Sequence, residues 1–149
     1  MGSSAIIGWK REKNERSTMN FEDEKDYLMR MIKETVRMLI SLALGKRYKS
    51  VELPAENATL VSGKPLKHYT DMADSGKISD AENEILDEVD YNDLEQTGAL
   101  IAFYEHLSKL DESFLEENGY SLQEVLDGLK SIAEKTGYGQ IIDTLSTER

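Results

Sequence analysis

The apolar residues between positions 20 and 44 recur with the period of an α-helix, and this pattern constrains the fold more than any other part of the chain. Leu28, Ile32, Leu39 and Leu42, with Thr35 among them, follow one another at alternating intervals of four and three residues. Such spacing places them on one side of a helix, for which Asn20 is a suitable N-cap. The opposite side carries cations: Arg30, Lys33 and Arg37. The sequence therefore predicts a long helix with an apolar face that must be covered.

The last two turns of this helix lack a polar side. The run MLISLAL (38–44) is apolar all round, so it must be buried beneath the rest of the chain or against a second copy. A homodimer through Leu39, Ile40, Leu42 and Leu44 is therefore one of two alternatives. The run is far shorter than the roughly 20 residues that cross a bilayer, so we predict no membrane span.

Short helices follow beyond residue 62. The first is predicted from Pro65 to Ser75, with Gly76 closing it. The tetrapeptide SDAE (79–82) has the form of a capping box, Ser79 with Glu82, and opens a second helix.

The C-terminal part continues in the same way. A longer helix, capped by Asp90 or Asn92, is expected to continue or kink toward Gly119. Its apolar residues are Leu100, Phe103, Tyr104, Leu107 and Leu110. The tetrapeptide SLQE (121–124) is a second capping box, and Gly137 ends the helix that it opens. A last short helix is predicted around Ile141, Ile142 and Leu145.

These elements predict a single all-α domain of five to seven helices over residues 19–149. At most a minor β-hairpin is expected near 49–62, with the segment around Val51 and Leu53 pairing with Leu60 and Val61. Residues 66–88 resemble one tetratricopeptide hairpin, in which Ala81 is the small residue at the helix crossing.

The charge distribution is uneven. The chain has 18 basic and 29 acidic residues, a net charge of −11. Residues 78–149 contain four of the basic and 18 of the acidic residues. This acidity argues against nucleic acid as a partner, because proteins that bind it present a basic surface. The absence of cysteine fits a reducing compartment, and we expect a cytoplasmic protein.

The basic turn LGKRYKS (44–50) follows the first helix directly. Gly45 stands where a helix C-terminus favours glycine, and the lysines and arginine after it complement the negative end of the helix. A phosphate loop would need a glycine-rich turn that opens a helix. The functional alternative is anion or nucleotide binding by Lys46, Arg47 and Lys49.

No motif predicts catalysis. The two histidines, His68 and His106, fall on different predicted helices and outside any metal-binding pattern. The acidic run LDEVDYNDLE (86–95) departs from a calcium loop, since Glu95 occupies the position of its glycine. We therefore predict no catalytic residues, no metal site and no cofactor.

Residues 1–18 are polar and basic without a sustained period. We expect a flexible leader or the remnant of a tag, with Met19 as the alternative start. Its apolar part is too short for a secretory signal. Tethering through Ile6, Ile7 and Trp9 is the functional alternative.

Four segments carry a family resemblance: MNFEDEKDYLMRMIKETVRML (19–39), LGKRY (44–48), VELPAEN (51–57) and GKISDAENEILDE (76–88). With them, residues 19–149 resemble small acidic proteins of Firmicutes-type bacteria that are classed as a domain of unknown function. The resemblance implies a helical fold and transfers no functional residue. We expect VELPAEN to be a structural wedge between helices, with ligand binding as the alternative.

The sequence thus favours a non-catalytic helical module that binds a protein partner or associates with itself. The alternative is a regulator that binds a small anion or nucleotide through the basic turn.

Overall fold

The computed structural model describes residues 21–43, 60–141 and 144. Six helices lie in these ranges: α1 (Phe21–Ala43), α2 (Leu66–Asp74), α3 (Ile78–Glu88), α4 (Leu94–Ser108), α5 (Glu112–Glu117) and α6 (Leu122–Lys135). Residues 139–141 are also helical. Two strands of two residues each, β1 (Leu60–Val61) and β2 (Lys64–Pro65), precede α2. The predicted all-α fold is confirmed.

Helix α1 buries the face that its periodicity predicted. Ile32, Thr35 and Leu39 are buried, while Arg30 and Lys33 are exposed. The buried Thr35 hydroxyl donates a hydrogen bond of 2.7 Å to the carbonyl of Met31, so this polar group is satisfied inside the core. Helix α1 packs against α6 and α4, which cover its apolar side.

The chain itself covers the apolar end of α1. Leu39 is 0% exposed and Ile40 is 3% exposed within the core, and Leu42 is half-buried. Leu44 lies outside the described residues. Of the two alternatives for this run, burial beneath the rest of the chain already accounts for Leu39 and Ile40. Self-association through these residues stays a prediction.

Helix α4 is the centre of the domain. It contacts α1, α2, α6 and β1, and its buried residues lie on every side of the helix. A helix that is apolar all round belongs in the interior. Helices α1, α2 and α6, which pack against it, are amphipathic and bury their apolar faces.

The β-hairpin lies further along the chain than predicted. Leu60 pairs with Pro65 and Val61 pairs with Lys64 across a turn at Ser62 and Gly63. Both turn residues have positive φ, 54° and 83°, as a two-residue hairpin turn requires. The strand partner of Leu60–Val61 is therefore 64–65, and the proposed partner segment around Val51 and Leu53 lies outside the described residues.

The predicted starts of α2 and α3 differ from the observed ones. Helix α3 begins at Ile78 with Lys77 as its N-cap, and no side chain caps it, so the box of Ser79 and Glu82 does not form. Pro65 belongs to β2 and is the N-cap of α2, because its extended backbone pairs with Leu60.

The start of α4 is capped by Asp93, whose side chain accepts hydrogen bonds from the N–H groups of Glu95 and Gln96. The predicted caps, Asp90 and Asn92, instead form the turn before it, where Asp90 accepts from the Asn92 N–H. The predicted continuation toward Gly119 is a separate helix, α5.

Three other predicted helix boundaries are confirmed. Ser121 caps α6 and accepts from the N–H of Glu124 at 3.2 Å. Gly76 and Gly137 follow α2 and α6 with φ of +99° and +91°, which favours glycine. Helices α2 and α3 pack against each other across the Gly76 turn. The likeness of this pair to a tetratricopeptide unit stays a prediction.

Candidate functional site

Helices α3, α4 and α6 surround a shallow cavity of about 340 Å³, which we call the first cavity. Its lining comprises Glu82 and Leu86 from α3, Tyr104 from α4, and Glu124, Asp127, Gly128 and Ser131 from α6. Three carboxylates thus surround one tyrosine and one leucine. Leu86 is 38% exposed and forms part of the apolar wall.

The position of Tyr104 is set by a glycine on the facing helix. A Cβ atom at Gly128 would lie 2.4 Å from two carbons of the Tyr104 ring. Only glycine lets the ring approach the backbone of α6 so closely. The Tyr104 hydroxyl then donates a hydrogen bond of 2.6 Å to Glu82 Oε2. This bond between a phenol and a carboxylate fixes the acidic side chain at the cavity wall.

Tyr120 lies beneath the same cluster. Its side chain is 3% exposed, and its hydroxyl makes no hydrogen bond of good geometry among the described residues. Burial raises the pKa of Tyr120, and Glu82 raises it further through its charge and a weak hydrogen-bonding interaction with the hydroxyl; the charges of Glu124 and Asp127 add to the effect. The pKa of Tyr104 is also raised, by burial and by its bond to Glu82. Both phenols therefore stay neutral, and their oxygens can accept hydrogen bonds.

The carboxylates of the first cavity have no cationic partner in the described part of the chain. None of Glu82, Glu124 and Asp127 forms an ion pair with lysine, arginine or histidine there. Glu124 and Asp127 accept only from the neutral side chains of Ser121 and Gln123. The cavity is therefore a concentration of hydrogen-bond acceptors and uncompensated negative charge.

A second cluster, on the other flank of α3, has cationic partners. Lys64 Nζ lies 2.6 Å from Glu84 Oε2 and 3.3 Å from Glu88 Oε2. His68 Nε2 lies 2.9 Å from Glu84, and the Tyr69 hydroxyl donates to Glu88 at 2.6 Å. Hydrogen bonding to Lys64, and then to His68, holds the pKa of Glu84 below its usual range. These contacts join β2, α2 and α3, and we interpret them as structural.

His106 lies in another shallow depression. Its Nε2 atom lies 2.7 Å from Asp74 Oδ1, beside Leu110, Asp111 and Phe114. Each histidine in the chain thus contacts a carboxylate of another helix. No three histidine, aspartate or glutamate side chains within the described ranges lie close enough to hold a metal ion.

The residues predicted for anion binding, Lys46, Arg47 and Lys49, lie outside the described residues, so this site stays a prediction. Sequence reasoning missed the first cavity, because it assigned Glu82 to a capping box and Tyr104 only to the core. One signal was present: Gly128 interrupts the predicted helix of 121–136, where a glycine costs stability unless close packing requires it.

The fold and the cavity define a small, acidic, all-α protein. No helix within the described ranges has the length and apolarity needed to cross a membrane. The chain belongs to a family of unknown function (DUF6483), whose sequence profile matches residues 22–137. Membership of such a family was expected from the sequence; the bacterial origin stays a prediction. No curated protein and no solved structure matches the chain.

Proposed function

We propose that this protein is a protein-interaction module and that the first cavity binds a basic segment of a partner protein. The observation that carries the proposal is the set of three carboxylates, Glu82, Glu124 and Asp127, without ion pairs in the described chain around the neutral Tyr104. A guanidinium or ammonium group supplies donors to these acceptors and neutralises their charge.

The shape of the cavity supports a long basic side chain over a bare cation. Leu86 and the Tyr104 ring offer apolar surface beside the carboxylates. Lysine and arginine pack their methylene stems on such surface and keep the charge at the polar end. The carboxylates do not converge closely enough to share a metal ion. Net negative charge also speeds the approach of a basic partner.

The test is a titration of the complete chain with a synthetic arginine-containing peptide, followed by calorimetry at two salt concentrations. The double variant Glu124→Gln/Asp127→Asn removes two charges without touching the Tyr104–Glu82 bond. Because truncating a charge that faces a bound cation weakens binding, we expect a Kd at least about tenfold higher, a loss of about 1.4 kcal/mol.

Asp87→Asn/Glu117→Gln is the matched control, since it also removes two charges and both residues are exposed and do not line the cavity. Equal losses in the control and the double variant would show that net charge alone attracts the peptide. If the wild type does not bind the peptide, the proposal is wrong.

One finer expectation goes with this proposal. The absence of cysteine fits a reducing compartment, and we expect the protein to be cytoplasmic. Self-association through Leu39, Ile40, Leu42 and Leu44, and anion binding through Lys46, Arg47 and Lys49, are the alternatives. Light scattering tests the former. Thermal unfolding with added phosphate tests the latter, because a ligand that binds only the folded state stabilises it.

A further inference from the structure

The end of α5 carries the single Asn–Gly pair of the sequence, Asn118–Gly119. Asparagine is a thermolabile residue. Its side-chain amide is attacked by the backbone nitrogen of the next residue, and glycine, which has no Cβ atom, hinders that attack least. Asn118 is half-buried and Gly119 is exposed, so water reaches the pair in the folded protein. Asn118 is therefore the asparagine of this chain at which loss of the amide is expected first.

The fold engages both groups that would react. The Asn118 Nδ2 atom donates a hydrogen bond of 2.8 Å to the carbonyl of Phe114. The N–H of Gly119 donates to the carbonyl of Glu116 at 3.1 Å. Gly119 ends α5 with a φ of +72°, the left-handed conformation that glycine favours at a helix C-terminus. Both hydrogen bonds must break before the Gly119 nitrogen displaces the Asn118 amide, so the folded state slows the reaction.

The Asn118 side chain also lies in a contact between elements. It packs against Gly76 in the turn between α2 and α3, where an added Cβ atom would lie 2.9 Å from Asn118 Oδ1. Beyond it, the N–H of Tyr120 donates to the carbonyl of Leu115 at 2.9 Å and completes the end of α5. Ser121 then caps α6. Asn118 therefore lies where α5, the α2–α3 turn and the start of α6 meet.

Deamidation at this position takes two steps. The Gly119 nitrogen forms a bond to Asn118 Cγ, the bond from Cγ to Nδ2 breaks, and Nδ2 leaves as ammonia with the proton of the Gly119 nitrogen. Water then opens the succinimide ring at one of its two carbonyls and leaves aspartate or isoaspartate. Either product replaces the donor to the Phe114 carbonyl with a carboxylate, which is unfavourable at the negative end of a helix.

We infer that Asn118 is a modification site at which the fold holds back deamidation, and that the modified residue loosens the junction of α5, the α2–α3 turn and α6. This inference does not rest on the proposed function, since neither the first cavity nor a partner takes part. Water is the only co-reactant, so the reaction needs no enzyme.

The first experiment follows ammonia loss in the complete chain by peptide mass mapping, in mildly alkaline buffer with and without denaturing urea. In urea we expect Asn118 to react before every other asparagine. In the folded protein we expect the same site to react at least about tenfold more slowly, because the reaction must wait for the end of α5 to open. Asn83 and Asn92 are internal controls, since both are exposed and neither precedes a glycine. Asn118→Gln should abolish the mass increase in its peptide.

The second experiment measures hydrogen exchange of the Tyr120 N–H in Asn118→Asp, which has the structure of one product. We expect exchange at least about tenfold faster than in the wild type, because the donor to the Phe114 carbonyl is lost and a charge is added. Asn83→Asp is the matched control: it makes the same change at an exposed position of α3 and should leave this exchange rate unchanged. If Asn118→Asp does not fold, aged wild type separated by its added charge gives the same measurement.

Each part of the inference has a result that would overturn it. Equal rates of ammonia loss with and without urea would show that the fold does not hold back the reaction. Earlier reaction at Asn83 or Asn92 in the folded protein would show that exposure, and not the Asn–Gly pair, selects the site. Equal exchange of the Tyr120 N–H in Asn118→Asp and Asn83→Asp would show that the modified residue does not loosen the junction.

Discussion

Tyr104 packs its ring directly against the backbone of Gly128, so closely that a methyl group at position 128 would stand 2.4 Å from two ring carbons. This contact joins the central helix α4 to α6 and holds the Tyr104 hydroxyl 2.6 Å from Glu82 Oε2. The wall of the first cavity therefore depends on one glycine in the middle of a helix.

Gly128→Ala tests this dependence. Alanine is the better helix former by about 1 kcal/mol, yet we expect the variant to lower the free energy of unfolding by about 1–3 kcal/mol, because the ring must move out of a packed position. Urea unfolding measures the difference. The same substitution in a Tyr104→Leu background should cost less or stabilise the fold, and equal effects in both backgrounds would exclude the contact as the cause.

The two buried phenols should respond oppositely to loss of the hydroxyl. Tyr104→Phe removes a hydrogen bond to a carboxylate and should destabilise by about 1.5–3 kcal/mol. Tyr120→Phe removes a buried hydroxyl that makes no hydrogen bond of good geometry in the described chain and interacts only weakly with Glu82, so the variant should be as stable as the wild type or more stable by about 1 kcal/mol. Thermal and urea unfolding measure the stability of both variants against the wild type. A large loss in Tyr120→Phe would show that the hydroxyl has a partner.

Alkaline pH should unfold the protein through its buried tyrosines. Burial raises the pKa of Tyr69, Tyr104 and Tyr120 above the usual tyrosine value. Hydrogen bonding to Glu88 raises the pKa of Tyr69 further, and hydrogen bonding to Glu82 does the same for Tyr104. Below about pH 10 the tyrosine hydroxyls are protonated in both the folded and the unfolded state, so the three tyrosines stabilise the fold fully. Above it the unfolded chain releases protons that the folded chain retains, and stability falls by up to about 1.4 kcal/mol per pH unit for each tyrosine.

Phenolate absorbance and circular dichroism, recorded together against pH, check this expectation. The absorbance of the three buried tyrosines should rise only as helix content falls. Titration of every tyrosine near pH 10 with the helices intact would contradict it.

Acid should weaken the contact between β2, α2 and α3. Hydrogen bonding to Lys64 and then to His68 lowers the pKa of Glu84 in the folded state. This carboxylate therefore contributes stability above about pH 4.3, the usual glutamate value, and loses it as the pH falls through the lower folded value. The side chains of Glu84 and Lys64 are 28% and 39% exposed, so solvent reduces the effect.

Glu84→Gln removes the titrating group and should have a lower Tm than the wild type at neutral pH, with the gap closing in acid. Asp87→Asn, on the exposed side of the same helix, should show no such gap. A gap that stays constant down to the lowest pH would mean that Glu84 acts through packing and not through its charge.

Ile40→Glu distinguishes core from interface at the end of α1. Ile40 is 3% exposed within the single chain, so a glutamate there loses apolar burial and places a charge in the core. We expect destabilisation of about 4 kcal/mol or more, with loss of helical signal. Lys33→Glu, on the exposed face, should change stability by less than about 0.5 kcal/mol. Light scattering completes the test by measuring the mass of both proteins. If the wild type is a dimer and Ile40→Glu is a folded monomer, Ile40 belongs to a self-association interface and not to the core.

Local signals in the sequence predicted most of the helices but not all of their ends. Ser121 with Glu124, and the glycines at 76 and 137, act through contacts within a few residues, and they are where the sequence placed them. Ser79 with Glu82 has the same local pattern but does not form a cap. Glu82 instead accepts a hydrogen bond from Tyr104, 22 residues further along the chain.

The sequence by itself determined the all-α class, the buried face of α1 and the acidity of the C-terminal half, because periodicity and charge are properties of neighbouring residues. Only the tertiary structure decided which carboxylates have a cationic partner. Glu84 and Glu88 lie beside Lys64, whereas Glu82, on the same helix, faces Tyr104 and the acidic first turns of α6. That difference depends on how α3 packs between β2 on one side and α4 with α6 on the other, and packing brings together residues whose separation in the sequence carries no sign of their contact.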